Sequence, residues 1–180
     1  SFLHYNRGKM SSAERYSLMK RLYPPYTQIM RMLAVSDLSP KLLKKALDFR
    51  LNTKSIILEN NFNTKYSDQT FTQLQALLKP NEAIVEIVRQ VSIDFDNTER
   101  IRYLFFIISN DTIDGPSIHK IDFTPHSESE VLVSYHKNIK SGAVDLTSYD
   151  NLWMPLQKVL LHGYSTIYIS PDGLYRHINF

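Results

Sequence analysis

The side chains that could do chemistry in this 180-residue chain form a short inventory, and the shortest line is cysteine, of which there is none. Disulfides, thiolate metal sites and a cysteine nucleophile are thereby excluded within these residues. The six histidines, His4, His119, His126, His136, His162 and His177, fall into neither an H-E-x-x-H nor an H-x-H pattern. Each reads as a surface or helix-end histidine rather than a metal ligand. No G-x-S-x-G elbow is present to expose a serine nucleophile. The five glycines are spaced as neither G-x-G-x-x-G nor G-x-x-x-x-G-K, which argues against a nucleotide enzyme. Two acidic pairs, Asp94 with Asp96 and Asp111 with Asp114, lie in turn sequences, where aspartate bonds to nearby backbone amides. A cation site built on them would need further ligands that the spacing does not specify. No residue is therefore assigned as catalytic, cofactor-binding or metal-binding, and no cofactor is expected.

A basic and aromatic group near the N-terminus, Tyr5, Arg7, Lys9, Arg15, Tyr16, Lys20, Arg21, Tyr23 and Tyr26, could stack and clamp nucleic acid. No recognised nucleic-acid module surrounds these residues. The favoured reading is that Tyr, Leu and Met pack one helix on the next while Lys and Arg face water. The net charge of +3 divides unevenly, as +7 over residues 1–60 and −4 over residues 61–180, which suggests two segments with different surfaces. Hydrophobic residues at 43% and charged residues at 22% are globular values, so disorder is not indicated. No apolar run approaches the roughly 18 residues that span a bilayer, and no secretory signal is visible. With no cysteine either, a cytoplasmic protein without a membrane partner is expected.

The elements that must hold these residues follow from periodicity. Residues 12–35 predict two helical pieces broken at Pro24-Pro25. Ser39-Pro40 caps a third helix, whose apolar Leu43, Ala46, Leu47, Leu51 and Leu58 run to about residue 59. After the Asn-rich loop "ENNFNTKYSD", Ser67 or Asp68 could cap a short helix through Phe71, Leu74 and Leu78. In "KPNEAIVEIVRQVSI", Val85, Ile87, Val91 and Ile93 share one face of a strand, and Arg89 is the only polar residue among them. "RIRYLFFIIS" at 100–109 is a nearly continuous apolar and aromatic run, as expected for a central strand covered on both faces. "SIHKIDF" at 117–123 completes an antiparallel meander. A helix at 127–139 and another at 147–162 follow, the second starting near Trp153 or kinked by Pro155, with Gly163 and His162 at its end. The strand "STIYIS" then enters the turn Ser170-Pro171-Asp172-Gly173, a sequence suited to turning after a strand.

Three stretches in this order resemble the CHAT domain, a caspase-like peptidase domain found behind tetratricopeptide repeats. Leu78, Pro80, Glu82 and Ala83 match the family's L-x-P-x-E-A before a strand. Leu152, Trp153, Pro155 and Leu156 match its L-W-x-P-L helix, and Ser170 to Gly173 its S-P-D-G after a strand. The upstream "ALDFRLNTKSIILEN" resembles the helix joining repeats to that domain, so the resemblance covers about residues 41–180. It implies a mixed α/β fold, the N-terminal portion of a caspase-like three-layer sheet with helices. A helical connector at 1–60, possible as the end of a repeat array, precedes the N-terminal part of the CHAT domain at 61–180.

The resemblance further implies a cysteine endopeptidase with a histidine and a cysteine as its dyad, the histidine pairing with the thiol and backbone amides holding the oxyanion. In the family both lie downstream of the S-P-D-G strand, beyond Phe180. None of the six histidines here matches the catalytic one, so no catalytic residue is carried over. The expected partner is then the catalytic half of the same domain, with a protein substrate or regulator acting through the parent protein. Residues 165–180 are expected to run along a sheet whose neighbours come from that half. Two other readings are a stand-alone protein or nucleic-acid interaction module and a family member without activity.

Overall fold

The structure, a computed structural model, describes residues 11–35, 39–62, 70–93, 97–160 and 163–178. The fold is mixed α/β, with a four-stranded mixed sheet and helices before and after its meander. The chain divides into two compact units.

The first unit contains helices α1 (Ser12–Val35), α2 (Pro40–Phe62) and α3 (Phe71–Leu77), together with the loop Thr112–Pro116. Met30 and Leu33 of α1 and Leu43, Ala46 and Leu47 of α2 are buried, the 3–4 spacing that places apolar side chains on one helical face. The Tyr26 and Phe49 rings stack at 6.1 Å, and Arg50 donates to the Tyr26 hydroxyl at 3.0 Å. The break expected at Pro24-Pro25 does not occur, because α1 runs through both prolines. Neither proline has an N–H to add to the helical ladder. Both are exposed, as are Lys20 and Arg21 one turn earlier, so water reaches the backbone there. Phe71, at the start of α3, donates its N–H to the Asp48 carboxylate at 2.6 Å. Gly115 sits with its Cα so near Pro40 that a Cβ would lie 2.4 Å from the Pro40 carbonyl oxygen.

The second unit is the sheet and its covering helices. Strands β1 (Glu82–Ile93), β2 (Glu99–Ser109) and β3 (Ser117–Phe123) form the expected antiparallel meander. β4 (Thr166–Ser170) then pairs in parallel with β1, giving the order β3-β2-β1-β4. The odd-numbered face carries Val85, Ile87, Ile101, Tyr103, Phe105 and Ile107. Residues of the helical layer pack on it, including Val131, Leu152, Leu156 and Leu160. Each large side chain so buried contributes about 1.5–3 kcal/mol relative to exposure. The even-numbered face is also buried, at Val88, Leu104, Phe106 and Ile108, so β2 is covered on both sides as its apolar run requires.

Helix α4 (Pro125–Ser141) begins at a capping box in which the Thr124 side chain accepts from the Ser127 N–H and Ser127 Oγ accepts from the Thr124 N–H. Next come α5 (Leu146–Ser148), a π-helical turn (Tyr149–Trp153) and α6 (Met154–Leu160). Pro155 explains the π turn: it has no N–H for the Asn151 carbonyl, and the ladder widens so that the Met154 N–H reaches Tyr149 O. Regular helix resumes at Met154, with Pro155 in the first turn where proline is tolerated. His162 lies outside the described residues.

The end of the chain differs from expectation. Only Thr166–Ser170 is strand, and its neighbour is β1 of this chain. The residues after the turn do not continue extended: Gly173–His177 is a 3-10 turn with Leu174 and Tyr175 buried. Two adjacent large apolar residues point inward together, which an alternating strand cannot achieve but a tight helical turn can.

Candidate functional site

The site is the turn at the carboxyl end of β4 and the four side chains that fix it. Arg89 of β1 and Tyr103 of β2 are direct cross-strand partners on the face beneath the helical layer. From the first turn of α4, Glu128 reaches both. Arg89 Nε and Nη2 donate to Glu128 Oε1 and Oε2, each at 2.7 Å, the bidentate fork that suits guanidinium and carboxylate. The Tyr103 hydroxyl donates a short hydrogen bond to Glu128 Oε1 and accepts from the Leu174 N–H at 2.9 Å.

The S-P-D-G sequence closes the network. Backbone pairing of β4 with β1 stops at Ser170 opposite Glu86. Asp172 then takes over, its Oδ2 accepting from the Arg89 N–H at 3.3 Å, so a side chain substitutes for the strand that has left the sheet. Asp172 Oδ1 accepts from the Gly173 N–H at 2.9 Å and meets Arg176 Nη2 at 2.9 Å. Gly173 has φ +55°, and a Cβ there would stand 2.5 Å from both Arg89 Cδ and the Tyr103 hydroxyl. Glycine thus satisfies a left-handed dihedral and a close approach at once. Tyr175 lies edge-on to Tyr103 at 5.1 Å and to Phe105 at 5.4 Å, and its hydroxyl donates to the Leu152 carbonyl at 3.1 Å.

Electrostatics follow from these contacts. Burial would raise the Glu128 carboxyl, but the bonds from Arg89 and Tyr103 outweigh it and hold it below its ordinary value. Burial, joined by the bond to Glu128, pushes the Tyr103 phenol up, and burial pushes Tyr175 up. Both phenols are therefore neutral donors rather than bases. A cavity of about 510 Å³ opens beside the cluster, where Ser129, Leu132, Arg176 and His177 join the residues above. Glu128, Arg89, Tyr103 and Asp172 are engaged with one another, so the arrangement fixes the path of the backbone leaving β4 rather than presenting a reactive group.

The motif residues singled out in the sequence are brought into one unit. Glu82 accepts from the Lys79 N–H at 3.0 Å to close the turn at Pro80-Asn81, and Asn81 O accepts from the Ser165 N–H at 2.8 Å, which seats the start of β4. Leu152 and Leu156 are buried in the helical layer, Trp153 packs against it, and Leu152 O receives Tyr175. The histidines are not assembled. His119 sits on β3 beside the Phe105 ring, where burial lowers its pKa. His126 meets Glu130 on α4, His136 lies beside Tyr135, and His177 borders the cavity. Asp111 accepts from the Ser109 hydroxyl, and Asp114 is exposed. No group of three or more His, Asp or Glu suited to a metal occurs among the described residues.

Tyr5, Arg7, Lys9, His4, Ser67, Asp68, Asp94, Asp96 and Phe180 lie outside the described residues, as do the side chains of Arg15 and Tyr16. Lys20, Arg21 and Tyr23 are exposed on α1, whereas Tyr26 packs on α2. Among the described residues no helix is long and apolar enough to cross a membrane. Glu128 and Tyr103 were not foreseen; the signals were Arg89, a charge on an otherwise apolar strand face, and the S-P-D-G turn that holds Asp172 and Gly173. Comparison with family models, curated proteins and solved structures finds no match to this chain.

Proposed function

We propose that the chain is the N-terminal, non-catalytic part of a cytoplasmic CHAT-type, caspase-like cysteine endopeptidase. Its sheet unit scaffolds the catalytic half of the same domain, present in the same or a separate chain, and its helical unit couples that half to a repeat-based sensor. The observation that carries this reading is the end of β4. The strand lies parallel to β1 at the margin of the sheet, with no strand on its other edge among the described residues. The turn that follows is pinned by Asp172, Arg89, Tyr103 and Glu128. An open parallel edge followed by a rigid exit suits a sheet that another segment continues. On this reading that segment carries the cysteine nucleophile, since these 180 residues contain no cysteine.

The test is to read the roughly 150 residues encoded after Phe180, a typical domain length. The reading expects a strand leading into His-Gly and a later strand ending in Cys; an open reading frame with neither would overturn it. The rival, an interaction module, draws on the excess of +7 over residues 1–60 and on Lys20, Arg21 and Tyr23 exposed along α1. Saturable, salt-sensitive binding of an oligonucleotide to the chain would favour that rival.

A further inference from the structure

The loop that joins β2 to β3 belongs to the helical unit, not to the sheet whose strands it connects: Thr112–Pro116 groups with α1, α2 and α3. Two contacts seat it there. Gln75 Nε2 of α3 donates to the Thr112 carbonyl at 2.6 Å. Gly115 meets the first turn of α2, where a Cβ would lie 2.4 Å from the Pro40 carbonyl oxygen and 3.4 Å from Lys44 Cβ. Gly115 also has φ +154°, a conformation that glycine adopts without strain. Loops between strands ordinarily run over the surface; this one is held by two helices. β3 leaves it at Ser117 as an edge strand, paired with β2 alone among the described residues and fully burying only Phe123. The other end of β3, roughly 20 Å along, is where the Arg89–Glu128 cluster begins. Ile121 is the direct partner of Tyr103 on β2, and Phe123 lies edge-on to the Tyr103 ring at 5.7 Å. Thr124 then caps α4, from whose first turn Glu128 holds Arg89 and Tyr103.

We propose that β3 is a lever by which the helical unit controls the turn after β4. While the loop is seated, β3 is anchored at both ends, by the loop and by the Thr124 cap. A displacement of α2 or α3 that unseats the loop removes the anchor at Ser117, and β3 loosens along β2. An edge strand with one buried side chain is where local opening costs least. The loosening reaches Phe123, then the cap of α4, and so the fork that Glu128 makes to Arg89. The Tyr103 hydroxyl then releases the Leu174 N–H, and the turn opens. The transmission needs only bonded and packed neighbours with two arrangements, loop seated and loop unseated. The lever gives a path to the coupling proposed above and rests on that reading only for its biological use. Its test reads amides of this chain alone, so its failure and that of the peptidase reading are separate results.

Native-state hydrogen exchange, followed by NMR on the 180-residue chain, tests the lever. Gly115→Ala sets a methyl against the Pro40 carbonyl and unseats the loop. It is expected to speed exchange of the β3 amides bonded to β2, and of the Leu174 N–H, by about tenfold or more. The β1 amides bonded to β2 should change far less. Gln75→Ala inserts no atom and removes one of the two seating contacts, so it keeps the fold; the same pattern is expected at severalfold. Should Gly115→Ala fail to fold, Gln75→Ala decides alone. A Leu174 N–H that exchanges at the wild-type rate in the folded variants would overturn the proposal, whether or not β3 loosens. Equal acceleration of β1, β3 and Leu174 would overturn it too, because that is the mark of global destabilisation rather than of a lever.

Discussion

Gly173 is the residue at which the sheet and the turn after β4 are most tightly joined. A methyl group there meets Arg89 Cδ and the Tyr103 hydroxyl at 2.5 Å. Arg89 cannot easily yield, because its guanidinium is forked onto Glu128. With the left-handed dihedral added, Gly173→Ala is expected to destabilise the sheet unit by about 2–4 kcal/mol, read as a lower urea midpoint. A change below about 0.5 kcal/mol would show that the turn is loosely held. Glu128→Gln keeps the shape but loses the charge, and is expected to cost about 1–2 kcal/mol near neutral pH. Its pH dependence has a fixed sign. The folded carboxyl titrates below its ordinary value near 4.5, so its contribution is full above that value and fades as pH falls through the lower folded value. The wild-type advantage over Glu128→Gln should therefore shrink on acidification below about pH 4.5. In both proteins stability also falls as pH drops below 6.5, because the unfolded chain protonates His119 at its ordinary value while burial holds it neutral in the fold. Of these residues Gly173 was legible in the sequence as part of the S-P-D-G turn and Arg89 as a charge on an apolar face, whereas their meeting was not. Tyr103 was hidden inside an apolar run, because an aromatic ring satisfies the core pattern whether or not its hydroxyl has work to do.

Among the elements, the strands were the most legible. Apolar runs mark β1 and β2 as strands, the run in β2 as one covered on both faces, and Ser117–Phe123 coincides with the span read from "SIHKIDF". Helix α1 was misread because a proline pair was taken as a break. The rule describes the lost donor and the ring clash, whereas the outcome also depends on whether water reaches the freed carbonyls. Replacing both residues, Pro24→Ala with Pro25→Ala, restores two helical donors. It is expected to stabilise the helical unit by about 2 kcal/mol or more, after allowing up to about 1 kcal/mol for the looser unfolded chain. Urea unfolding followed by far-UV circular dichroism measures this, and an unchanged or lower midpoint would mean that α1 depends on the prolines. The segment after Gly173 was misread for a different reason. An apolar alternation five residues long fits a strand and a 3-10 turn alike, and the choice between them was made by Tyr103, some seventy residues earlier in the chain.

At the scale of the whole molecule, the mixed α/β class and the order of elements were legible, because each long element carries its own period. The parallel pairing of β4 with β1 was not, since nothing local to Thr166–Ser170 names its neighbour; it depends on Asn81 receiving Ser165 and on Asp172 receiving Arg89. That pairing is also what gives the proposed function its physical content, a sheet edge and a fixed exit offered to a catalytic half. The most direct measurement is peptidase activity after this chain is co-expressed with the residues encoded downstream of Phe180. The account predicts endopeptidase activity that needs both parts, is abolished by thiol alkylation, and falls when Gly173→Ala loosens the turn. Activity from the downstream part alone, undiminished by omission of this chain, would contradict it, as would no thiol-dependent cleavage of any protein substrate by the two together.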